Sequence, residues 1–327
     1  MIMKKSVLSV AMLLGVVTLS AHAASPGDSW PSKPINVIVG SAAGGSADVL
    51  TRIVFNELSK ELKTSFVIEN RPGAGGSIAM QALKRQAPDG YTVGYANVNT
   101  LGVNPSLFAK LPYDANKDFE PVGMMFDLFN VLTVRVDHQA KTANDLLTYV
   151  RENPGKLSWG ASGMGTSGHI GGELLRDMAK LDVQFVPYQG DPQTLQDLIG
   201  GRIDYIVANS SVVMPLVESG KARALAISSL QRVPLYPDLP TVDESGIKGY
   251  ENVSWGGVVV PAGTPPAIVE KFNAALNKAL QSEEVKTQLS KLGAVPRPGS
   301  QEDFRKLIAS EQIKYRDLIQ SANIPKL

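Results

Sequence analysis

The chain has 327 residues, no cysteine, three histidines and a formal net charge of +1 at pH 7. Its length accommodates two ordinary domains, the lack of cysteine excludes disulfides and a thiolate nucleophile, and the balanced charge argues against a nucleic-acid or anionic-membrane partner. We expect no cofactor and no metal, since a histidine-rich zinc site cannot be built, although carboxylates remain able to bind calcium.

Residues 1–23 have the pattern of a secretory signal peptide. Lys4 and Lys5 form a basic start, residues 6–20 are mostly apolar, and the sequence AHA at 21–23 has the small-x-small form of a cleavage site. The apolar run of about 14 residues is shorter than the roughly 20 that a membrane-spanning helix needs. We therefore expect cleavage near Ala23 and export to the periplasm, with a retained signal anchor as the alternative.

Strand-like and helix-like patterns alternate after this segment. Residues 35–39 form a short β-branched run, and the apolar residues between Leu50 and Leu62 share one helical stripe. Further strands are predicted at 66–69 and 91–96, with a helix at 77–86 between them. This βαβαβ order predicts a parallel sheet that is covered by helices on both faces.

A second alternating set begins around Phe119. The predicted elements of this set are strands at 130–136, 157–161, 184–187, 204–208 and 222–228, with helices at 142–152, 170–180 and 192–199. The C-terminal part is helical, with helix-start signals at Thr264-Pro265 and at Ser300. Because no low-complexity linker separates the two sets, we predict an α/β fold of two lobes joined by continuous strands.

Two glycine-rich loops follow strands and run directly into amphipathic helices. They are VGSAAGGSADVL at 39–50 and WGASGMGTSGHIGGELL at 159–175. Amide groups at a helix start coincide with the positive end of the helix dipole, and such a place binds carboxylate, sulfate or phosphate without a basic side chain. Ser46, Thr166 and Ser167 add hydroxyl donors. We predict an anion site between the loops, and the alternative is that the glycines serve only the turn geometry.

Nine stretches in this order carry a family resemblance. They are AAGGSAD (42–48), IENRPGAGGSIA (68–79), APDGYTV (87–93), LPYDANKDFEPV (111–122), NPGKLSWGASGMGTSGH (153–169), VPYQG (186–190), RALAISS (223–229), LPTVDESG (239–246) and SWGGVVVPAGTP (254–265). Each stretch alone is only modestly specific. Together they span essentially the whole mature chain, which resembles the solute-binding proteins of tripartite tricarboxylate transporters, the Bug family.

The resemblance implies a type II periplasmic binding protein of the venus-flytrap kind, with two α/β domains, a central ligand cleft and two strands that cross the hinge. We expect domain 1 at 24–124 and 227–327 and domain 2 at 125–226, with the crossings near 119–125 and 222–228. The resemblance also implies a protein that is not an enzyme and that delivers a small carboxylate ligand to integral membrane permease subunits. We expect a monomer.

The family binds one carboxylate between the two loops through amides, hydroxyls and water. Carried over by motif, this implies contacts from residues 41–46 and 162–167, to which we add polar residues that follow predicted strands. The residues predicted to bind the ligand are Ser41, Ala43, Gly44, Gly45, Ser46, Asp48, Asn99, Thr100, Ser162, Gly165, Thr166, Ser167, His169 and Asn209.

Several side chains have more than one interpretation. Asp48 either favours the helix dipole and pairs with Arg52 at i+4, or orients the loop, or binds an amino or hydroxyl group of the ligand. His169 either braces the second loop or contacts the ligand. Tyr188 and Trp255 either line the cleft or pack in the core.

Two further loop features bear on the ligand. The sequence NRPGAGG at 70–76 is interpreted as a structural turn or lip, with Arg71 as a brace. The first loop has Gly40-Ser41-Ala42-Ala43 where the family commonly carries a proline and an aromatic residue. Loss of an aromatic wall predicts an enlarged pocket or the entry of a different group, so the sequence names no ligand.

Two other functions compete with transport. An exported hydrolase is suggested by serine and histidine near residues 165–169, but no GxSxG elbow is present and the histidine is poorly placed as a base for a serine two residues away. A binding protein that presents its ligand to a membrane sensor kinase is the second alternative. The sequence does not separate it from transport.

Overall fold

The computed structural model describes residues 30–321 and 324–327, and the predicted signal peptide at 1–23 lies outside them. Strands and helices alternate along the described chain. The strands are β1 Ile35–Val39, β2 Phe66–Asn70, β3 Thr92–Asn97, β4 Phe119–Arg135, β5 Ser158–Ala161, β6 Gln184–Pro187, β7 Tyr205–Asn209, β8 Ala222–Ile227, β9 Val253–Pro261 and β10 Ala294–Pro296. The α-helices are α1 Ser46–Leu62, α2 Ser77–Lys84, α3 Asn104–Leu107, α4 Ala143–Glu152, α5 Ser167–Met178, α6 Asp191–Ile199, α7 Ser210–Glu218, α8 Pro266–Gln281, α9 Glu283–Lys291 and α10 Gln301–Ser321.

The strands form one curled sheet in the order β2-β1-β3-β9-β4-β7-β5-β6, and β8 and β10 also pair with β4. Strand β1 is parallel to β2 and β3, and β5 is parallel to β6 and β7. The long strands β4 and β9 separate these two parallel groups and run antiparallel to their neighbours. The predicted α/β class is confirmed, and each parallel group corresponds to one of the two predicted sets.

Strand β4 belongs to both groups. Its residues 119–129 pair with β9, and its residues 130–135 pair with β7 and β8. The change of partner therefore lies at Phe129–Asn130, a few residues beyond the crossing expected near 119–125. Strand β8 pairs with the second half of β4. No turn marks the crossing, because a strand changes partners without a break in its own backbone.

Buried hydrogen bonds tie the connecting segments together at this point. The Asn130 amide donates to the Ser228 hydroxyl (2.9 Å), and the Asn130 side-chain amide donates to the Asn252 carbonyl (2.9 Å). The Asn252 side-chain amide in turn donates to the Ser167 carbonyl at the start of α5 (2.7 Å). The segments that connect the two strand groups are thus linked directly to the second glycine-rich loop.

Each parallel group has its own hydrophobic core. The predicted stripe of α1 is buried through Leu50, Val54 and Leu58, and it packs with Phe272 and Leu276 of α8 against β1 and β3. A separate cluster joins α4 and α5 to Trp159 and Tyr205. Apolar residues that recur every three or four positions produce these buried helix faces. No helix within residues 30–321 and 324–327 is long and apolar enough to cross a membrane.

Helix α5 approaches the sheet through a face made of glycine. A Cβ atom at Gly168 would lie 2.4 Å from the Val207 carbonyl oxygen, and one at Gly172 would lie 2.0 Å from the Trp159 ring. A Cβ at Gly171 would lie 2.0 Å from the Asn252 side-chain nitrogen. Only glycine, which has no Cβ atom, lets the helix backbone come this close to Val207, Trp159 and Asn252. The glycines therefore fix the position of the helix start and of the loop before it.

Substitution of Gly172 by alanine tests this packing. The added methyl group meets a fully buried indole ring, and overpacking of this kind costs about 1–3 kcal/mol. We expect Gly172→Ala to lower the free energy of unfolding by that amount in urea titrations. Gly299→Ala is the matched control, because its Cβ would meet nothing closer than 3.7 Å. Equal stabilities of the two variants would contradict the packing argument.

Candidate functional site

A cavity of about 550 Å³ lies between the two glycine-rich loops. Its walls come from segments at the carboxyl ends of strands, where ligands bind in open α/β sheets. The predicted residues that line it are Ser41, Gly45, Ser46, Asn99, Thr100, Ser162, Thr166, Ser167 and Asn209. The structure therefore brings nine of the fourteen predicted residues to one cavity, from both strand groups.

The first loop presents only part of its length to the cavity. Helix α1 begins after Gly45 without a side-chain cap, so its first amides are left for another acceptor. Ala43 and Gly44, which were predicted to bind the ligand, are exposed and do not line the cavity. The reason is the direction of the turn, in which the Gly44 amide donates to the Asp48 carboxylate (2.9 Å).

Asp48, which was also predicted to bind the ligand, braces this loop and does not line the cavity. Its side chain is 5% exposed and accepts from Arg52 Nε at 2.9 Å. The Asn70 side-chain amide donates to it at 3.0 Å. Burial alone would raise the pKa of Asp48, but the hydrogen bonds from Arg52, Gly44 and Asn70 hold that pKa below its ordinary value. Of the interpretations considered, pairing with Arg52 and orientation of the loop fit this geometry.

The second loop is held by Thr166 and Ser167. The Thr166 hydroxyl accepts from the His169 amide (3.3 Å) and donates to the Gly163 carbonyl (2.8 Å). This cap leaves the Ser167 and Gly168 amides at the start of α5 without an intrahelical acceptor. The Ser167 hydroxyl donates to Asn209 Oδ1 at 3.1 Å. The loop thus offers amides and hydroxyls next to the side chain of Asn209.

Gly165 and His169 were predicted to bind the ligand, but they lie behind the cavity wall. The Gly165 amide donates to His169 Nδ1 (3.2 Å), so the imidazole braces the loop from within. His169 is 4% exposed, with its ring centroid 4.6 Å from that of Phe185. Burial, assisted by the charge of Arg176, lowers the pKa of His169 to about 4, which keeps the ring neutral and its Nδ1 free to accept.

Several contacts join the two strand groups, and two of them involve Ser46 in the cavity wall. The Ser211 hydroxyl at the start of α7 donates to the Ser46 hydroxyl (2.6 Å). The Ser46 amide donates to Asp191 Oδ2 of α6 at 3.5 Å. The Ser210 hydroxyl donates to the Gly293 carbonyl (3.0 Å). Ser46 is therefore the residue of the first loop that meets two helices of the other group.

Part of the cavity lining was not predicted from the sequence. Residues 72–76, interpreted as a structural turn or lip, form a wall of the cavity. Tyr188 lines the cavity, whereas Trp255 is buried elsewhere and donates from Nε1 to Glu311 (3.2 Å). Other polar residues that line it without having been predicted are Asn97, Gln189, Asp191 and Ser254. The signal for residues 187–191 was available, since they follow β6 at the same edge of the sheet as the two loops.

The cavity has an unusual charge balance. Among the described residues, its lining includes no lysine, arginine or histidine, and Asp191 is its acidic side chain. Burial raises the pKa of Asp191, against the effect of hydrogen bonds from the Ser162 hydroxyl and the Ser46 amide. Asn99 lines the cavity with a buried Oδ1 that has no hydrogen-bond partner in the described chain. An anion here would be held by amides and hydroxyls alone.

Comparison with known proteins places the chain among transport receptors. A family model described as "Tripartite tricarboxylate transporter family receptor" matches residues 50–324. Protein BugT of Bordetella pertussis is 31% identical over 310 residues, which cover 94% of this chain and 95% of BugT. A structure from R. palustris solved with adipate superposes with a TM-score of 0.88 at 33% identity, covering 91% of this chain and 100% of that one. MatC from Rhodopseudomonas palustris, with bound malate, superposes with a TM-score of 0.84 at 33% identity, covering 89% and 100%.

The neutral state of His169 predicts a pH dependence of stability. The unfolded histidine takes up a proton near its ordinary pKa of 6.5, whereas the folded one takes it up near 4. Stability is therefore lost as the pH falls from 6.5 towards 4 and gains nothing more above 6.5. We expect the wild-type protein to lose about 2 kcal/mol more than His169→Asn between about pH 7 and about pH 4.5.

Urea unfolding of both proteins at the two pH values measures this difference. Asparagine keeps an acceptor oxygen for the Gly165 amide but does not titrate, so the variant serves as its own structural control. The comparison concerns the change with pH and not the absolute stability. Parallel losses in the two proteins would show that His169 is already charged, or freely hydrated, in the folded state.

Proposed function

This chain belongs to the tripartite tricarboxylate transporter receptor family, and we propose that it captures a small organic acid in the cavity and delivers it to the membrane permease of such a transporter. The observation that carries the proposal is the cavity itself. Helix starts and hydroxyls from two strand groups converge there, and the described part of the chain contributes no basic side chain to the lining. The adipate and malate held by two similar structures support a carboxylate as the ligand.

We propose that the ligand carboxylate accepts hydrogen bonds at the starts of α1 and α5. The donors assigned to it are backbone amides at these helix starts and the hydroxyls of Ser41, Ser46, Thr166 and Ser167. The Thr166 and Ser167 hydroxyls donate to Gly163 and Asn209 in this structure, so in the proposed complex they rotate towards the ligand and release these acceptors. A hydrogen bond to a charged group contributes about 1.5–3 kcal/mol net, and micromolar affinity requires about 8 kcal/mol. Three or four such bonds are therefore sufficient. Asn99, Thr100, Ser162 and Asn209 complete the proposed binding set.

The cavity walls come from both strand groups, and this division supports capture of the ligand by closure. We propose that residues 24–124 and 227–327 form one lobe and residues 125–226 the other, and that the protein acts as an exported monomer after cleavage near Ala23. A ligand that touches both lobes stabilises only the closed form, in which it reaches both at once. The permease would then distinguish loaded from empty protein by this form.

The geometry gives no support to the hydrolase alternative. A serine nucleophile requires a base within hydrogen-bond reach. The Ser167 hydroxyl donates to asparagine oxygens, and His169 Nδ1 is occupied by the Gly165 amide. Similar proteins are binding proteins, which supports capture without chemistry.

Thermal unfolding with a panel of mono-, di- and tricarboxylic acids tests the proposed function. We expect at least one acid to raise the melting temperature, because a ligand that binds only the folded state stabilises it by mass action. Ser167→Ala should weaken binding of that acid roughly tenfold or more, as one charge-assisted hydrogen bond is lost.

Calorimetry on Ser167→Ala and on the matched control Ser59→Ala separates binding from folding. Ser59 is a helix serine remote from the cavity whose hydroxyl donates to the Asn56 carbonyl (2.6 Å). Its variant should keep wild-type affinity. A broad acid panel that leaves the melting temperature unchanged would contradict the proposal, and so would equal affinities of the two serine variants.

A further inference from the structure

Asp191 is an acidic side chain in the wall of a cavity that we assign to an acid. It is the first residue of α6, yet its carboxylate extends towards the first loop of the other strand group. Its Oδ2 lies 3.5 Å from the Ser46 amide nitrogen. A Cβ atom added at Gly45 would lie 3.5 Å from the same oxygen. The Ser162 hydroxyl is also hydrogen-bonded to it. Asp191 therefore lies where both glycine-rich loops meet.

The carboxylate of Asp191 has acceptor capacity left over. A carboxylate offers about four lone-pair sites, and here one long amide contact and one hydroxyl use part of them. Within residues 30–321 and 324–327 it forms no ion pair, whereas Asp48 pairs with Arg52 and Asp197 pairs with Arg202. The unused acceptor capacity lies at a cavity to which residues 30–321 and 324–327 contribute no basic side chain.

We propose that Asp191 determines ligand specificity by accepting a hydrogen bond from a hydroxyl or ammonium group of the ligand. The inference rests on the proposed function, in which the ligand carboxylate lies at the helix starts. The class of ligand is then narrowed to hydroxy- or amino-substituted carboxylic acids. Asp191 takes the role that the sequence analysis considered for Asp48, whose oxygens are occupied inside the loop.

Asp191 selects among acids by lowering the affinity for those that lack a hydroxyl or ammonium donor. A methylene group placed against Asp191 displaces water and leaves a partly buried carboxylate without a partner, and sites of this kind reject such analogues strongly. A second ligand carboxylate placed there would face a like charge at close range. A hydroxyl or an ammonium group satisfies the oxygen, and the ammonium group also compensates its charge.

A purely structural role for Asp191 makes a different prediction. If it only complemented the dipole of α6 and held Ser46, its removal would weaken all acids by the same factor. The measurement that separates a structural role from a role in selection is therefore the ratio between the affinities for an acid with the donor group and an acid without it. The affinity for a single acid does not separate them.

Calorimetric titration with matched acids measures that ratio. Each pair has one carbon skeleton, with and without the donor, as in malate or aspartate against succinate, and 2-hydroxyglutarate or glutamate against glutarate. We expect the wild-type protein to bind the substituted member of at least one pair roughly tenfold or more tightly. In Asp191→Asn and Asp191→Ala the preference should fall to within about threefold, through loss of affinity for the substituted acid. Asp238→Asn, an exposed control, should keep the wild-type ratio.

The outcomes separate the two proposals. Acids that bind the wild-type protein without any preference for the donor overturn the role of Asp191 and leave the proposed function standing. If Asp191→Asn and Asp191→Ala keep the wild-type preference for the acid with the donor group, the role of Asp191 is also overturned and the proposed function is unaffected. A wild-type protein that binds no carboxylic acid at all overturns both. The wild-type preference is measured without any variant, so a folding defect in Asp191→Ala does not remove the test.

Discussion

The close contact between α5 and the sheet is the constraint on which the site depends. Glycines at 168, 171 and 172 bring this helix against β7 and Trp159 at distances that no side chain permits. The same face leaves room for the Asn252 side chain, which donates to the Ser167 carbonyl. Both contacts act on the first turn of α5, where the Ser167 and Gly168 amides are open. Tight packing of this helix face thus defines the position of the donors at the N-terminal end of the helix.

Recognition by amides and hydroxyls has a physical advantage over recognition by a basic side chain. Backbone donors are held by the fold and lose little conformational entropy when a ligand arrives, whereas ordering a lysine or arginine costs up to about 2 kcal/mol. The side chains of Asp48 and His169 hold the loops in place, because they accept hydrogen bonds from loop amides and do not enter the cavity. Charge is placed behind the first loop, and the cavity side is left to oriented dipoles. Asp191 departs from this arrangement, which is why we assign it a role in selection.

Local patterns predicted much of this molecule. The stripe of α1, the two glycine-rich loops and the helix that follows the second loop depend on neighbours within a few residues, and the structure contains all of them. The structure begins that helix at Ser167, three residues before the predicted start at 170. Strand β9 and helix α7 were not predicted, because VSWGGVVVP has no alternation and Pro215 interrupts the helical pattern.

The differences between the predicted site and the observed cavity lining arise from contacts between residues that are distant in the sequence or from the direction of a turn. Ala43 and Gly44 share a motif with Gly45 and Ser46, but the turn points them to solvent, and only the Asp48 contact reveals this. Asp191 was not predicted to line the cavity, because its contact with Ser46 joins positions 145 residues apart in the sequence. Residues 72–76 and 187–191 line one cavity although they follow β2 and β6, the two ends of the strand order, and this arrangement depends on pairing between distant segments.

The uninterrupted course of β4 through both strand groups has a mechanical consequence. A hinge made of loose chain stores no energy, whereas a strand of 17 residues paired along both halves resists torsion over its whole length. The closure that we propose would then be distributed as a small twist at many peptide units around Phe129, and the hydrogen bonds of both halves of β4 would oppose that twist.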